Sequence, residues 1–551
     1  MKIHAITILT IGLLILLVAL PLLFILLQAI FPAFSEGSLR GAFTPLLVLW
    51  HDRQSGALLG GTLGIGLAVA TASALLGLPL GVLRGLFNLP AARWWDLLFL
   101  IPFLTPPYIA ALSWILALQP HGYLAQLIGF DLNALLFSAT GVILVMTLNI
   151  FPVVYFAVSR SLLASGQRLA TVGRVHGASA CRAFWHITLP MLLPALAAGM
   201  LLSFTMAIEE YGVPAALGSR SGVLMLTVAI EKKLADWPID LSGAALLSLL
   251  LVLVALAGWI VQRQLIGKKE VTSITGKPTE NQGITLAGWT VPAVLLFTLV
   301  ALLAVALPMA SMLLTAFLST LSGGISSENF TLRHFSLLFS QQGEALQALT
   351  TSIGLALASA FIAGALGLIS AWLVVTRRLR CGAFIDALSL LPAALPGVVV
   401  GVGLILLWNQ PFWPFTPYNS PLILLLSYCC LLLPWPVRYI SSALRQLGSN
   451  LEAAARVHGA SLLNTLRLII LPLIFPSLLA SMLMVFAVAL RELVTSLLLA
   501  PAGTQTISVF VWRQFEQGSV GQGMAMASLA ALVGLLLMLT AIGLMQRSQR
   551  R

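Results

Sequence analysis

Apolar runs of about twenty residues recur along the whole chain, separated by short polar stretches. At 1.5 Å per residue, each run crosses a hydrocarbon core of about 30 Å as a helix. Within lipid only helices and closed barrels satisfy their own backbone groups, and runs of this length select helices. The pattern predicts twelve spans, near residues 6–31, 57–83, 95–118, 137–159, 188–210, 243–265, 287–317, 347–376, 384–408, 421–440, 470–496 and 523–545. The expected fold class is an all-α polytopic membrane protein. The first run, roughly Ile6 to Ile30, is longer than a signal-peptide core and lacks a small-residue cleavage pattern, so it reads as a retained helix.

The runs fall into two halves. The string Arg-Val-His-Gly-Ala-Ser occurs at Arg174–Ser179 and returns 282 residues later at Arg456–Ser461. Each copy sits in a basic stretch between apolar runs. Each is followed by a Leu-Pro whose proline comes thirteen residues after the glycine, Gly177 to Pro190 and Gly459 to Pro472. Phe204 to Glu210 aligns with Phe486 to Glu492 at the same offset. Residues 267–286 read as a polar cytoplasmic linker between a first half, 1–266, and a second, 287–551. Six spans per half bring both halves into the membrane in one orientation. That predicts parallel repeats about an axis along the membrane normal, with a translocation path on the axis. A duplication kept only for packing would preserve the apolar pattern first. Here the closest identity lies in polar loops, at about 165–187 and 447–469, which argues for two equivalent docking sites outside the membrane.

Composition closes off other classes. The chain is 59% hydrophobic and 8% charged, with mean hydropathy +1.02, too apolar for a soluble globule. The formal charge of +12 invites a nucleic-acid reading, but the basic residues are scattered over short loops. With the amino terminus inside, 21 of the 29 Lys and Arg fall on the cytoplasmic side against 5 of the 17 Asp and Glu. This Lys/Arg bias is the positive-inside signature and places both termini in the cytoplasm. Cys181, Cys381, Cys429 and Cys430 form neither a disulfide framework nor a metal spacing. No Gly-x-x-x-x-Gly-Lys-Ser/Thr loop is present, so ATP hydrolysis is not expected of this chain.

Charges inside or beside spans face a cavity or a partner. The candidates are Glu209 and Glu210 near one span end and Arg491 with Glu492 at the matching place. Two readings stand. The four line an outer gate or a transient cation site, since carboxylates are hard oxygen ligands. Alternatively, Arg491 pairs with a glutamate across the halves and locks a closed state. Pro102, Pro106, Pro107, Pro392 and Pro396 fall early in equivalent spans and mark either broken helices or loop-to-helix starts. Tyr211 and Trp237 read as interface anchors, and Arg377, Arg378 and Arg380 as positive-inside residues. Asp52, Glu231, Asp236, Asp240, Glu328 and Glu344 are solvated outer-loop acids, or help to dock a soluble protein.

The repeated loop resembles the EAA loop of ABC-importer permeases, whose pattern is Glu-Ala-Ala, three residues, Gly, nine residues, then Ile-x-Leu-Pro. Both copies carry its second part: Gly177, Ile187, Leu189 and Pro190, then Gly459, Ile469, Leu471 and Pro472. The front departs. The family's glutamate falls on Ala453, with Glu452 one place early, and in the first copy on Thr171, followed by Val172 and Gly173. The resemblance covers about residues 57–545 and implies a type I importer permease fold. It further implies that the loops dock as coupling helices on two copies of a cytoplasmic ATPase. The docking residues would be Arg174, His176, Gly177, Ala178 and Ser179, then Glu452, Ala453, Ala454, Arg456, His458, Gly459, Ala460 and Ser461. ATP and Mg would sit on that partner, with no cofactor on this chain, and a periplasmic binding protein would deliver the solute in a bacterial inner membrane. Fused twelve-span permeases of this size most resemble the ferric-iron importer group, with thiamine, phosphonate, sugar-phosphate and polyamine permeases as relatives. The rival class is a secondary transporter driven by an ion gradient, which has no need of duplicated docking loops.

Overall fold

The computed structural model describes residues 2–129, 132–165, 168–218, 221–267, 284–340, 343–376, 381–447 and 450–550. Among them, helices are joined by turns and loops, with one isolated extended bridge from Phe87 to Ile284. Nine described helices are long and apolar enough to cross a membrane, and three bent pairs bring the total to twelve if each pair is one span. Most of the expected linker, and Arg377, Arg378 and Arg380, lie outside the described residues. Ile284, at the linker's far end, is pinned by backbone bonds of 3.0 Å each from Asn88 N and to Leu86 O.

Three expected spans need correction. Span 95–118 is two helices, Ala92–Leu104 and a second beginning at Pro107, bent by 96°. Span 384–408 likewise breaks between Ala394 and Gly397, with a bend of 115°. Proline is the cause. The residue before a proline is driven out of the helical region, and Thr105 (ψ 129°) and Leu395 (ψ 122°) are both extended. Pro107 then restarts the helix where its missing N–H costs nothing. Of the two sequence readings of these prolines, the broken helix is the observed one. Span 470–496 stops at Ala489, and a separate short helix, Val494–Leu499, follows. Span 421–440 bends by 41° at Pro434, whereas its counterpart Ala139–Ser165 runs on through Pro152.

Four spans share another proline device. The widened turns Ile15–Ala19, Phe184–Thr188, Leu302–Ala306 and Leu466–Ile470 each precede a Leu-Pro: Pro21, Pro190, Pro308 and Pro472. A proline ring clashes with the carbonyl four residues back, and a turn of wider pitch moves that carbonyl aside. The Leu-Pro at fixed distance from each repeated loop is therefore a helix-entry feature.

The chain forms two compact units, 53–228 with 253–329, and 1–52 with 229–252 and 330–551. They cut across the sequence halves 1–266 and 287–551. In the first unit, helix Arg53–Leu86 meets helix Ala139–Ser165 along Gly77, Gly81 and Gly85. A Cβ on Gly81 would lie 2.9 Å from the Val158 side chain, and one on Gly85 2.6 Å from Leu162 Cβ. Small residues at every fourth position let the backbones close, the main route to helix association in lipid. Helix Thr290–Ala301 brings Phe297 into an aromatic cluster with buried Phe99 and Tyr155 and half-buried Trp95. Arg84 holds Asp96 at 2.8 Å, and the Tyr155 hydroxyl donates to the same carboxylate at 2.6 Å.

The second unit repeats the scheme with different side chains. Gly367 on helix Glu344–Val375 accommodates Pro436, the position matching Val154. Gly403 receives Pro21, so the span His4–Ile30 packs within 330–551. Phe24 adds a ring contact to Phe412 at 6.4 Å.

Gly81→Leu is expected to destabilise the protein by about 1–3 kcal/mol or more through overpacking. Gly60→Leu, on the same helix but with open space where its Cβ would go, is expected to be neutral. Thermal unfolding followed by size-exclusion fluorescence separates the two.

Candidate functional site

The two repeated loops fold alike. Helix Arg168–Val175 ends where Gly177 adopts φ +92°, and helix Asn450–Val457 where Gly459 adopts φ +76°. In the first loop Ala178 N donates to Gly173 O and Gly177 N to Arg174 O, both at 3.0 Å. Ala460 N donates to Ala455 O at 3.0 Å in the second. This is the left-handed glycine stop that satisfies the last carbonyls of a helix, and a side chain at either glycine would strain it. The serine of the repeat then opens the next helix. Ser179 Oγ accepts from Arg182 N at 3.2 Å, and Ser461 Oγ from Asn464 N at 3.3 Å. Gly-Ala-Ser is thus a helix stop followed by a helix start.

The first loop's departure from alanine has a packing reason. Gly173 stands where the second loop has buried Ala455, and a Cβ there would strike the Ile187 side chain. Val175 and Val457, the valines of the repeat, are 80% and 85% exposed. Arg174, His176 and Ser179, and Ala454, His458 and Ser461, are exposed too, while Ala178 and Ala460 are half-buried. The side chains of Glu452, Ala453 and Arg456 lie outside the described residues. Each loop therefore presents a bare valine flanked by polar groups, on a turn fixed by its own backbone bonds. The repeat, and an apolar contact made by its loop, are legible in the sequence; that the valines are the bare side chains is not, because valine in an apolar chain carries no signal of its own.

The second set of candidates marks helix breaks. Helix Leu189–Glu209 ends, and the Glu210 carboxylate turns back to accept from Gly212 N at 2.8 Å and Val213 N at 3.3 Å. Thr227 Oγ1 donates to Glu210 O at 2.9 Å. At the matching break, Glu492 Oε1 accepts from Thr495 N at 3.2 Å, and Ser496 Oγ donates to Glu492 O at 2.7 Å. Glu210 and Glu492 are thereby caps for the segments that follow. Glu209 differs: its Oε1 is sealed from solvent and has no hydrogen-bond partner among the described residues. Arg491 is engaged in interactions of its own.

The neighbouring breaks are held the same way. Asn149 Nδ2 donates to Pro102 O at 2.7 Å, occupying a carbonyl at the first proline break. Thr62 Oγ1 accepts from Leu226 N at 2.9 Å, and Ser352 Oγ from Ile507 N at 2.8 Å, one such anchor in each unit. The described residues contain no group of three or more His, Cys, Asp or Glu placed to hold a metal ion, and the four cysteines are free thiols.

A family model described as "Binding-protein-dependent transport system inner membrane component" matches twice, over residues 77–266 and 363–551. The chain is 24% identical to the ferric transport system permease protein FbpB of Actinobacillus pleuropneumoniae, over 79% of this chain and 63% of that protein. It thus spans under two thirds of that relative's length. It is 25% identical to the Fe(3+)-transport system permease protein FbpB 2 of Haemophilus influenzae, over 91% of each. A putative 2-aminoethylphosphonate transport system permease protein, PhnV of Salmonella typhimurium, is 26% identical over 42% of this chain.

Glu492→Gln keeps the accepting oxygen and is expected to leave the cap in place, whereas Glu492→Ala removes it at a cost of about 1 kcal/mol. Hydrogen exchange at Thr495 reads the difference. Equal protection in the two variants would show that the cap is not what holds this break.

Proposed function

Because the chain belongs to the family of binding-protein-dependent transport system inner membrane components, we propose that it forms the translocation path for ferric iron delivered by a periplasmic binding protein. It is an inner-membrane permease of an ABC import system. The observation that carries the fuller reading is the duplicated turn, one helix stop, one serine cap and one bare valine in each half.

On this reading each loop docks on one copy of a cytoplasmic ATPase subunit, which binds ATP and Mg. The exposed valine enters an apolar recess, and the rigid turn transmits motion because its bonds leave it no slack. Closure of the ATPase pair then moves the spans that begin at Leu189-Pro190 and Leu471-Pro472, giving alternating access. Both termini lie in the cytoplasm, in keeping with the lysine and arginine bias. Iron is favoured over phosphonate because the ferric relative matches along 91% of both chains, whereas the phosphonate relative matches 42% of this one. The ion-gradient alternative has no support from the family match.

Replacing either turn glycine with valine places a β-branched residue in the left-handed region, at a cost of about 1–2 kcal/mol. Gly177→Val and Gly459→Val are expected to insert normally and to lose ATPase co-purification and solute-stimulated ATP hydrolysis. Normal transport by both would remove the docking assignment. Proteoliposomes carrying the chain, its ATPase and its binding protein are expected to take up labelled ferric iron only when ATP and both partners are present. ATPase activity stimulated by the binding protein without iron uptake would keep the importer and exclude iron.

A further inference from the structure

We propose that the Glu209 carboxylate is a ligand for a hard metal cation in transit. The proposal rests on the ferric-permease reading and names one contact in its path.

The four charged candidates separate by what they already do. Glu210 and Glu492 spend an oxygen each on backbone amides, and Arg491 is engaged. Glu209 Oε1 is the one carboxylate oxygen among the described residues that is buried with no hydrogen-bond partner. Glu209 is half-buried, and its Oε1 is cut off from water with no donor to meet it, which is unfavourable for a carboxylate; its surroundings add to this. It is the last residue of helix Leu189–Glu209, where the helix dipole is negative and last-turn carbonyls lack intrahelical partners. The next residue carries a second carboxylate. Each of these features disfavours an anion, and each is relieved by a cation, whether a proton or a metal ion, the two being separated by the terbium titration below.

The ligand chemistry is that of a hard ion. Carboxylate and carbonyl oxygens suit small, highly charged cations better than soft ones. Broken helices whose carbonyl ends face a cation are a recurrent transporter site. Position agrees as well. Glu209 closes a span of 30 residues that starts at Ala180, so it stands about 45 Å along the helix from the Gly177 turn. A cation held there meets the permease on the side away from the docking loops. The site is half-made by design: with one free carboxylate it holds a cation weakly enough to release it.

Terbium(III), a hard trivalent ion whose emission is sensitised by nearby aromatic rings, is the probe. Tyr211 adjoins Glu210, and Tyr108 lies against Gly212. The full chain in lipid nanodiscs, without ATPase or binding protein, is titrated with terbium. The wild type is expected to show a saturable emission component displaced by gallium(III). Glu209→Gln, which matches the shape of a neutral carboxylic acid, is expected to weaken that component about tenfold or more. Glu209→Asp is expected to retain part of it, and Glu36→Gln, in an outer loop, all of it. Unchanged emission in Glu209→Gln overturns the site, as does an equal loss in Glu36→Gln. Because this readout needs no transport, the site and the ferric reading fail separately. Terbium binding without ferric uptake sinks only the iron assignment. Ferric uptake with unchanged terbium binding in Glu209→Gln sinks only the site.

Discussion

Every place where a helix breaks inside lipid exposes backbone groups that no water can satisfy, and this structure is organised around meeting that demand. Asn149 covers the carbonyl freed at Pro102, and Glu210 and Glu492 cover the amides after two span ends. Thr62 and Ser352 hold the first amides of the helices that follow. An unsatisfied amide in hydrocarbon costs several kcal/mol, more than a single side chain gains by packing. Side chains at these discontinuities therefore take over hydrogen bonds that the broken helices leave open.

A second constraint follows from the solvent. Lipid offers little reward for burying leucine against leucine, so the helices associate through close backbone approach. The glycines at 77, 81 and 85 serve this end, and Gly403 admits Pro21. Compact units and sequence halves differ as well, because the first apolar helix of each half falls in the unit built mostly from the other half. Helix His4–Ile30 joins residues 330–551, and Phe297 joins the cluster around Phe99.

Much of this was legible in the sequence, and what was not has physical causes. The spans follow from hydropathy because element length is set by bilayer thickness, and the repeat was visible because identical letters survive in a polar loop. At Pro106 and Pro396 the letters allow two readings, since proline marks a helix start and a helix break alike. The capping role of Glu210 and Glu492 was hidden because capping depends on where the chain turns after the glutamate, which apolar periodicity does not report. Glu209 and Glu210 look equivalent as letters, and only the turn of the backbone separates the capped carboxylate from the free one.

The pattern of divergence between the halves also has an argument in it. Arg84, Asp96 and Tyr155 form a polar network in the first unit, and the positions matching Arg84 and Tyr155 are Val374 and Val437, with only Asp386 kept. The glycine seam moves from contact with Val154 to contact with Pro436. An interior of this kind can be rebuilt whenever volume and hydrogen bonds are balanced again within the same half. The turns at Gly177 and Gly459 have kept both letters and backbone bonds, together with the Ile-x-Leu-Pro that follows each, while the interior network changed. Interior packing cannot impose that identity, because the side chains beneath the two turns are different: Gly173 lies under one and Ala455 under the other. A surface that meets both turns in the same way would impose that identity. Two copies of one partner subunit would supply such a surface, and on the docking reading proposed above the bare valines at 175 and 457 are the side chains each copy would meet.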